Sequence, residues 1–222
     1  MIQQPRAAVP TRGLIRAEIR ARRTSRSLAE QHADDQLRDA RVLALVSELL
    51  DGHASSGAAT LACYLSRPGE PGTLDLVGEL AEHYRLLVPK LSVDKNGRRR
   101  PAPDWALFEG TDQLVPGVFG IPDPAGLGLG GAALRQADVV IAAALCAGVD
   151  GSRLGTGGGW FDRALLHRRA DAPVIVLLNE DEVRQAPQEP HDQPVHWLVT
   201  PHRTIKTTCA DQPGQLTATT GS

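Results

Sequence analysis

The segment from residue 153 to 162 is the part of the sequence best suited to chemistry, because it combines four glycines with an arginine and an aspartate. It reads Arg-Leu-Gly-Thr-Gly-Gly-Gly-Trp-Phe-Asp and lies between an apolar run at 139–144 and a helical pattern. Glycines let the backbone approach an anion closely and turn N–H groups toward it, and a following helix adds a favourable dipole. The pattern predicts a loop that holds the phosphates and metal of a nucleotide.

Two better-known glycine signatures do not describe this loop. No Lys-Ser or Lys-Thr pair follows it, as a P-loop requires, and Trp160 occupies the place of the third glycine in a dinucleotide-binding fingerprint. A literal GxGxxG does occur at 126–131, but it follows a Pro-Asp-Pro turn rather than a strand, so we give it little weight. An ordinary strand-to-helix turn remains the plain alternative for 153–162.

Other polar clusters favour structural roles. His191, His196 and His202 could suggest a metal site, but no further ligands stand at metal-binding spacing, and strand alternation places only some of these side chains on one face. The acidic run 180–182 follows Asn179 and predicts a helix start and nothing more.

The elements that must position the glycine loop alternate between strand and helix patterns. Helices are predicted at 14–26, 27–50, 74–81 and 161–169, and strands at 58–65, 86–89, 139–144, 174–178 and 195–199. Ser27 begins a capping-box pattern and Thr73 can cap the third helix. Residues 90–135 are rich in Pro and Gly and predict an irregular insertion, with short extended pieces near 105–108 and 114–119. This order predicts an α/β fold with an open, mostly parallel sheet flanked by helices, which usually binds ligands beyond the carboxyl ends of its strands.

Length and composition favour one intracellular domain. The 222 residues, of which 41% are hydrophobic, predict a single domain at 12–203, a flexible segment at 1–11 and a disordered tail at 204–222. The net charge of -2 gives no global signal, but arginines concentrate at 6–41 and acids at 179–193, which predicts local anion sites rather than a nucleic-acid surface. No apolar run is long enough to span a bilayer. Three cysteines without a CxxC pair favour a reducing compartment. We therefore expect a cytoplasmic protein, most simply a monomer.

Several motifs together resemble those of the 5-formyltetrahydrofolate cyclo-ligases, also called methenyltetrahydrofolate synthetases, over roughly residues 12 to 203. The most specific match is Arg153-Leu154-Gly155-x-Gly157-x-Gly159, two aromatics and Asp162, which looks like the family's RLGxGxGYYD signature. Supporting matches in chain order are Arg12 and Arg16, Tyr64-Leu65-Ser66 with Glu70 and Thr73, the stretch from Phe119 to Pro124, and His191-Asp192 ahead of Thr200. The resemblance implies a Rossmann-like (NagB/RpiA-like) sheet.

The resemblance also implies a reaction. In that family ATP phosphorylates the formyl oxygen of 5-formyltetrahydrofolate, a ring nitrogen attacks the activated carbon, and phosphate leaves to give 5,10-methenyltetrahydrofolate. Phosphoryl transfer turns a poor leaving group into a good one, so the enzyme must hold phosphates and metal in line with the acceptor. ATP and Mg²⁺ are the implied cofactors, and a reduced folate is the implied small-molecule partner.

Residue roles follow from the resemblance. It implies catalytic roles for Arg153 and Asp162, and Mg²⁺ binding by Asp162 and Asp192. The implied ATP-binding residues are Arg12, Arg16, Arg153, Leu154, Gly155, Thr156, Gly157, Gly158, Gly159, Trp160 and Phe161. The implied folate-binding residues are Leu65, Glu70, Thr156, Gly157, Gly158, Gly159 and Trp160. Arg12 and Arg16, four apart on a helix, share one face and can meet one anion, although a solvated arginine face is the alternative.

Some positions depart from the family pattern. Thr156 stands where a basic residue is common, Trp160-Phe161 replaces a tyrosine pair, Asp123 replaces a usual Glu, and Ala143 and Gly148 occupy positions often Pro and Asp. Two alternatives therefore remain open. One is a diverged relative that applies the same ATP-driven carbonyl activation to another small molecule, and the other is a non-catalytic nucleotide- or folate-binding protein.

Overall fold

The computed structural model describes residues 11–51, 58–91 and 102–211. The α-helices in these ranges are α1 (Arg12–Ser25), α2 (Leu28–Leu50), α3 (Leu74–His83) and α4 (Trp160–Leu165). The strands are β1 (Thr60–Cys63), β2 (Arg85–Pro89), β3 (Trp105–Leu107), β4 (Leu114–Val115), β5 (Asp123–Pro124), β6 (Val139–Ala142), β7 (Cys146–Ala147), β8 (Arg153–Leu154), β9 (Val174–Leu177), β10 (Trp197–Val199) and β11 (Thr204–Lys206).

Seven of these strands form one sheet in the order β11-β10-β9-β6-β1-β2-β3. The five inner strands pair in parallel, whereas β3 and β11 are antiparallel at the two edges. Counted along the chain, the parallel strands have the order 2-1-3-4-5, in which the direction of strand addition reverses between β1 and β6. Ligands of such sheets bind beyond the carboxyl ends of the two strands that flank this switch point. The predicted open, mostly parallel α/β sheet is confirmed.

The sheet is buried on both faces, which explains why its inner strands are continuous apolar runs. Leu61 of β1 faces a cluster built with α2 and α3, whereas its neighbour Ala62 faces a second cluster on the other side. The second cluster contains Trp105, Leu134 and Leu165, so residues of the insertion and of α4 cover this face. The predicted insertion therefore contributes to the core, with 92–101 outside the described residues.

Helix α1 is fastened to the domain by a small apolar cluster and a buried ion pair. Ile15 and Ile19 pack with Leu145 and other residues of a third cluster. At the far end of the helix, Arg23 donates to both carboxylate oxygens of Glu182 at 2.6 and 2.8 Å. The acidic run does begin a short 3₁₀ helix, but the prediction that it does nothing more is wrong, because Glu182 is buried and anchors α1.

Two predicted helix features differ in detail. The capping box at Ser27 is confirmed, but the Thr73 side chain makes no cap and donates instead to the carbonyl of Tyr64 at 2.8 Å. Helix α4 ends at Leu165, four residues before the predicted end at 169. After the helix, the Arg168 guanidinium donates to the carbonyl groups of Arg169, Ala170 and Ala172, in the segment that leads to β9.

The predicted limits of the domain also change. Thr11, the one described residue of the supposed flexible segment 1–11, accepts a hydrogen bond from the Leu14 N–H and caps α1. The prediction of disorder from residue 204 is wrong as far as Asp211, because β11 pairs with β10 and a 3₁₀ helix follows. Thr207 is buried and donates to the Val195 carbonyl at 2.7 Å. Residues 212–222 lie outside the described part of the chain.

Truncation should separate these two parts of the carboxyl-terminal segment. A chain ending at Arg203 loses the pairing of β11 and the Thr207 hydrogen bond, each contact worth about 0.5–1.5 kcal/mol, so its melting temperature should fall by several degrees. A chain ending at Asp211 keeps both and serves as the matched control. Equal melting temperatures for the two truncations would show that β11 adds no stability.

Candidate active site

A cavity of about 400 Å³ opens at the switch point of the sheet. One wall consists of residues that follow β1, including Leu65 and Glu70, and Ala143 follows β6. The glycine loop between β8 and α4 also lines the cavity. The insertion supplies Phe119 and Ile121. The position agrees with the general rule for ligand crevices in open α/β sheets.

The glycine loop is held by two arginines of α1. Arg16 Nε donates to the Gly155 carbonyl at 3.0 Å, and Arg20 Nη2 donates to the Thr156 carbonyl at 2.7 Å. Gly157 and Gly159 have φ values of +109° and +62°, in the left-handed region that favours glycine. A Cβ added at Gly157 would lie 3.6 Å from Arg16 Nε, so the loop and the guanidinium are in close approach. The predicted involvement of Arg16 with this loop thus has a geometric basis, and Arg20 was missed.

Arg153 and Asp162 form an ion pair on the cavity wall. Arg153 is 2% exposed, and its Nη2 donates to Asp162 Oδ1, which lies in the first turn of α4. Burial lowers the pKa of Arg153 below its ordinary value, while the carboxylates of Asp162 and Asp192 oppose this shift. Arg153 Nε is buried without a hydrogen-bond partner among the described residues. The site therefore retains a buried cationic donor that a ligand oxygen could satisfy.

Arg12 and Asp192 form a second ion pair beside the first. Both terminal nitrogens of Arg12 donate to the Asp192 carboxylate, at 2.8 and 3.2 Å, and Glu189 lies 3.3 Å from Arg12 Nη1. Burial alone would raise the pKa of Asp192, but the hydrogen bonds and charge of Arg12 lower it. Asp162 and Asp192 each interact electrostatically with both Arg12 and Arg153. Two carboxylates and two guanidinium groups thus share one region.

The rest of the cavity is suited to a flat, partly apolar molecule. Leu65 is buried in the wall, and Glu70 is held by Arg67 at 3.0 Å. Trp160 and Phe161 border the cavity and also pack on the core residue Trp105, with ring centroids 5.1 and 6.5 Å away. The same aromatic pair can therefore pack on the core and offer ring surface to a ligand.

The structure brings together most of the residues selected from the sequence. Those that line the cavity are Leu65, Glu70, Arg153, Gly155, Thr156, Gly158, Gly159, Trp160, Phe161 and Asp162. Those that are not in its lining are Arg12, Arg16, Leu154, Gly157 and Asp192. Leu154 is fully buried in the cluster beneath α1. Lys90, which also lines the cavity, was missed, although its place directly after β2 is a signal that sequence reasoning could use.

The three histidines do not converge. His196 Nδ1 accepts a hydrogen bond from the Val174 N–H at 2.9 Å, and burial lowers its pKa to about 4, so this side chain is structural. His191 is exposed and groups loosely with Glu189 and Asp192, while His202 is exposed elsewhere. Glu189 and His191 are both exposed, and exposed acidic groups are common without a metal ion, so these contacts describe a charged surface cluster.

The residues present fit a metal-bound nucleotide triphosphate. Asp162 and Asp192 offer the hard oxygen atoms that Mg²⁺ prefers. The glycine loop offers close backbone approach, and Arg153 Nε is a buried donor without a partner in the described chain. Arg16 and Arg20 add positive charge at the loop and have no acidic partner within the described ranges.

The switch-point cavity, the parallel sheet and the glycine loop define an α/β protein with a small-molecule site. The helices within the described ranges are too short or too polar to cross a bilayer. The model of the 5-formyltetrahydrofolate cyclo-ligase family matches residues 8–201. The chain belongs to the 5-formyltetrahydrofolate cyclo-ligase family.

Individual relatives agree with this assignment. A 5-formyltetrahydrofolate cyclo-ligase of Mycolicibacterium smegmatis is 36% identical over 159 residues, which cover 70% of this chain and 80% of the relative. The structure of a 5,10-methenyltetrahydrofolate synthetase from Aquifex aeolicus aligns with a TM-score of 0.67 at 21% identity, over 89% of this chain and 93% of that one. A synthetase from Mycoplasma pneumoniae aligns with a TM-score of 0.63 at 17% identity, over 86% and 98% of the two chains. At these identities the two structures support the fold.

Proposed function

We propose that this protein catalyses the ATP- and Mg²⁺-dependent cyclisation of 5-formyltetrahydrofolate to 5,10-methenyltetrahydrofolate, with release of ADP and phosphate. The observation that carries the proposal is the cavity wall itself. The glycine loop and the Arg153–Asp162 pair line the same 400 Å³ space as Leu65, Phe119 and Glu70. A phosphate-binding loop thus faces a surface suited to a flat ring that carries polar groups.

The proposed chemistry needs positive charge where the phosphoryl group is transferred. Arg153 is suited to this role, because its burial excludes water and strengthens its interaction with an anion. Asp162 and Asp192 would hold Mg²⁺, which supplies charge neutralisation at the phosphates when bound. Glu70, fixed by Arg67, would accept hydrogen bonds from the N–H groups of the pterin ring.

One assay tests the reaction directly. Purified protein mixed with 5-formyltetrahydrofolate, ATP and Mg²⁺ should develop the absorbance of the methenyl product and release ADP in equal amounts. Two control reactions are run, one without ATP and one in which a chelator removes Mg²⁺. ADP release without the methenyl product, or neither product, would contradict the proposal.

A different acceptor is the second candidate, and one observation favours it. Thr156 lines the cavity at the position where the family often has a cation, so the charge presented to the acceptor differs. Measuring ATP-dependent turnover of a panel of formylated compounds distinguishes 5-formyltetrahydrofolate from a different acceptor. Faster turnover of any compound than of 5-formyltetrahydrofolate would favour the diverged reaction.

The cellular setting is also a proposal. Cys63, Cys146 and Cys209 are all unpaired, as is usual for proteins of a reducing compartment, so we place the enzyme in the cytoplasm. We also propose that it acts as a monomer. Sedimentation of the purified protein tests the proposed monomeric state.

Arg16→Gln should weaken ATP binding. Arg16 holds the loop through the Gly155 carbonyl, and its charge lies beside the proposed phosphate site. The loss of a charge-assisted contact to phosphate, worth about 1.5–3 kcal/mol, would raise the apparent ATP constant roughly 10-fold or more, with a smaller change for the folate. Arg22→Gln is the matched control, because Arg22 lies on the same helix but pairs with Asp181 at 2.9 Å. An apparent ATP constant that stays the same in Arg16→Gln would remove Arg16 from the nucleotide site.

A further inference from the structure

A second cavity, of about 260 Å³, adjoins the first between α1 and the turn that follows β1. Its polar lining consists of Arg20, Arg23 and Thr24 from α1 and of Arg67 and Glu70 from the turn. Arg67 and Glu70 also line the main cavity, so the two spaces share a wall. The proposed reaction assigns no role to this second space.

The lining of the second cavity has an excess of positive charge. Of its three guanidinium groups, Arg67 pairs with Glu70 at 3.0 Å, and Arg23 pairs with Glu182, which lies outside the lining. Arg20 has no acidic partner within the described ranges, and the hydrogen bond that it donates goes to the uncharged Thr156 carbonyl. The balance of charge in the cavity is therefore suited to an anion.

Arg23 provides a second, independent observation that points to a ligand. It is 4% exposed, and its Nε and Nη2 atoms are bound to Glu182 and to the Ala144 carbonyl. Its Nη1 atom is buried without a hydrogen-bond partner among the described residues. Buried donors are nearly always satisfied, because a buried donor without a partner destabilises the fold.

We propose that this second cavity is an oxyanion subsite, in which Arg20, Arg23 and Arg67 bind a carboxylate or phosphate group. Guanidinium groups bind such planar or tetrahedral oxyanions through paired hydrogen bonds. The anion has two possible sources. It is either a carboxylate of the acceptor, which reaches across the shared wall and so rests on the function proposed above, or a separate small anion from solution.

The first experiment is a calorimetric titration with inorganic phosphate and with glutarate, a simple dicarboxylate. A non-hydrolysable ATP analogue at saturation occupies the glycine loop, so that binding there does not interfere. Arg20→Gln should weaken the binding of at least one of these anions about 10-fold or more, since a hydrogen bond to a charged group contributes about 1.5–3 kcal/mol. Arg22→Gln, on another face of α1, should bind as the wild type does. Melting temperatures of both variants verify that they are folded.

The second experiment identifies the source of the anion. The Michaelis constant for the intact formylated folate is compared with the constant for an analogue without the glutamyl group, in the wild type and in Arg20→Gln. If Arg20→Gln raises the Michaelis constant only for the intact acceptor, the subsite binds the acceptor's carboxylate. If Arg20→Gln weakens anion binding in the titration without this rise, the subsite binds a free anion. If neither measurement responds to Arg20→Gln while the wild type turns over the folate, the subsite is refuted and the proposed function stands. If the wild type does not turn over the folate, the proposed function fails, and the titration alone decides on the subsite.

Discussion

Asp162→Asn should reduce turnover by on the order of 10³-fold with every acceptor tested while leaving the protein folded. The Asp162 carboxylate is bound to the buried Arg153 and lines the cavity beside the glycine loop. A neutral amide is a poor ligand for Mg²⁺ and no longer balances the arginine, so charge placed for phosphoryl transfer is lost. We expect the free energy of unfolding to fall by about 1–3 kcal/mol, because one charged hydrogen-bond partner of a buried guanidinium is weakened.

The comparison that isolates this effect uses Asp181→Asn as its matched control. Asp181 also pairs with an arginine, Arg22 at 2.9 Å, but it is half exposed and is not in the lining of either cavity. Turnover and thermal unfolding are measured for both variants at saturating ATP, Mg²⁺ and folate. Near wild-type turnover in Asp162→Asn would show that this carboxylate takes no part in the reaction.

The glycine loop could be predicted from the sequence because its requirements are local. Positive φ values at Gly157 and Gly159 demand glycine wherever the loop lies in the fold. The parallel sheet was predictable for a similar reason, since buried strands are short apolar runs separated by amphipathic helices. Helix α4, by contrast, has only six residues, so phosphate binding would depend on loop N–H groups and arginines more than on a long helix dipole.

The contacts that assemble the site were not predictable, because they join residues far apart in the chain. Arg12 and Asp192 are separated by 180 residues, and Arg20 and Thr156 by 136. The hydrophobic periodicity of the sequence does not indicate which distant residues will be in contact. The strand at 204–206 was missed because three residues are too short for an alternation pattern, and its place at the sheet edge depends on pairing with β10.

The buried pair Arg23–Glu182 should be the costliest polar contact to break. Their side chains are 5% and 2% exposed, and Glu182 also accepts hydrogen bonds from the backbone and side chain of Asn179. Burial lowers the pKa of Arg23, but the hydrogen bond and charge of Glu182 outweigh this effect and raise it overall. Arg23→Met removes that compensation and leaves a buried carboxylate, so the free energy of unfolding should fall by about 3–5 kcal/mol.

A double-mutant cycle tests whether the loss comes from the pair itself. In Arg23→Met/Glu182→Gln the glutamine oxygen can still accept from Asn179 and no buried charge is left, so the double variant should lose less stability than the sum of the single variants, by about 0.5–3 kcal/mol. Arg22→Met is the control, since its partially exposed ion pairs should contribute at most about 1 kcal/mol. Urea unfolding at pH 7 gives the change in unfolding free energy for the two single variants, the double variant and the Arg22→Met control. Additive losses in the cycle would show that Arg23 and Glu182 stabilise α1 through their other contacts, and that the ion pair adds no coupling of its own.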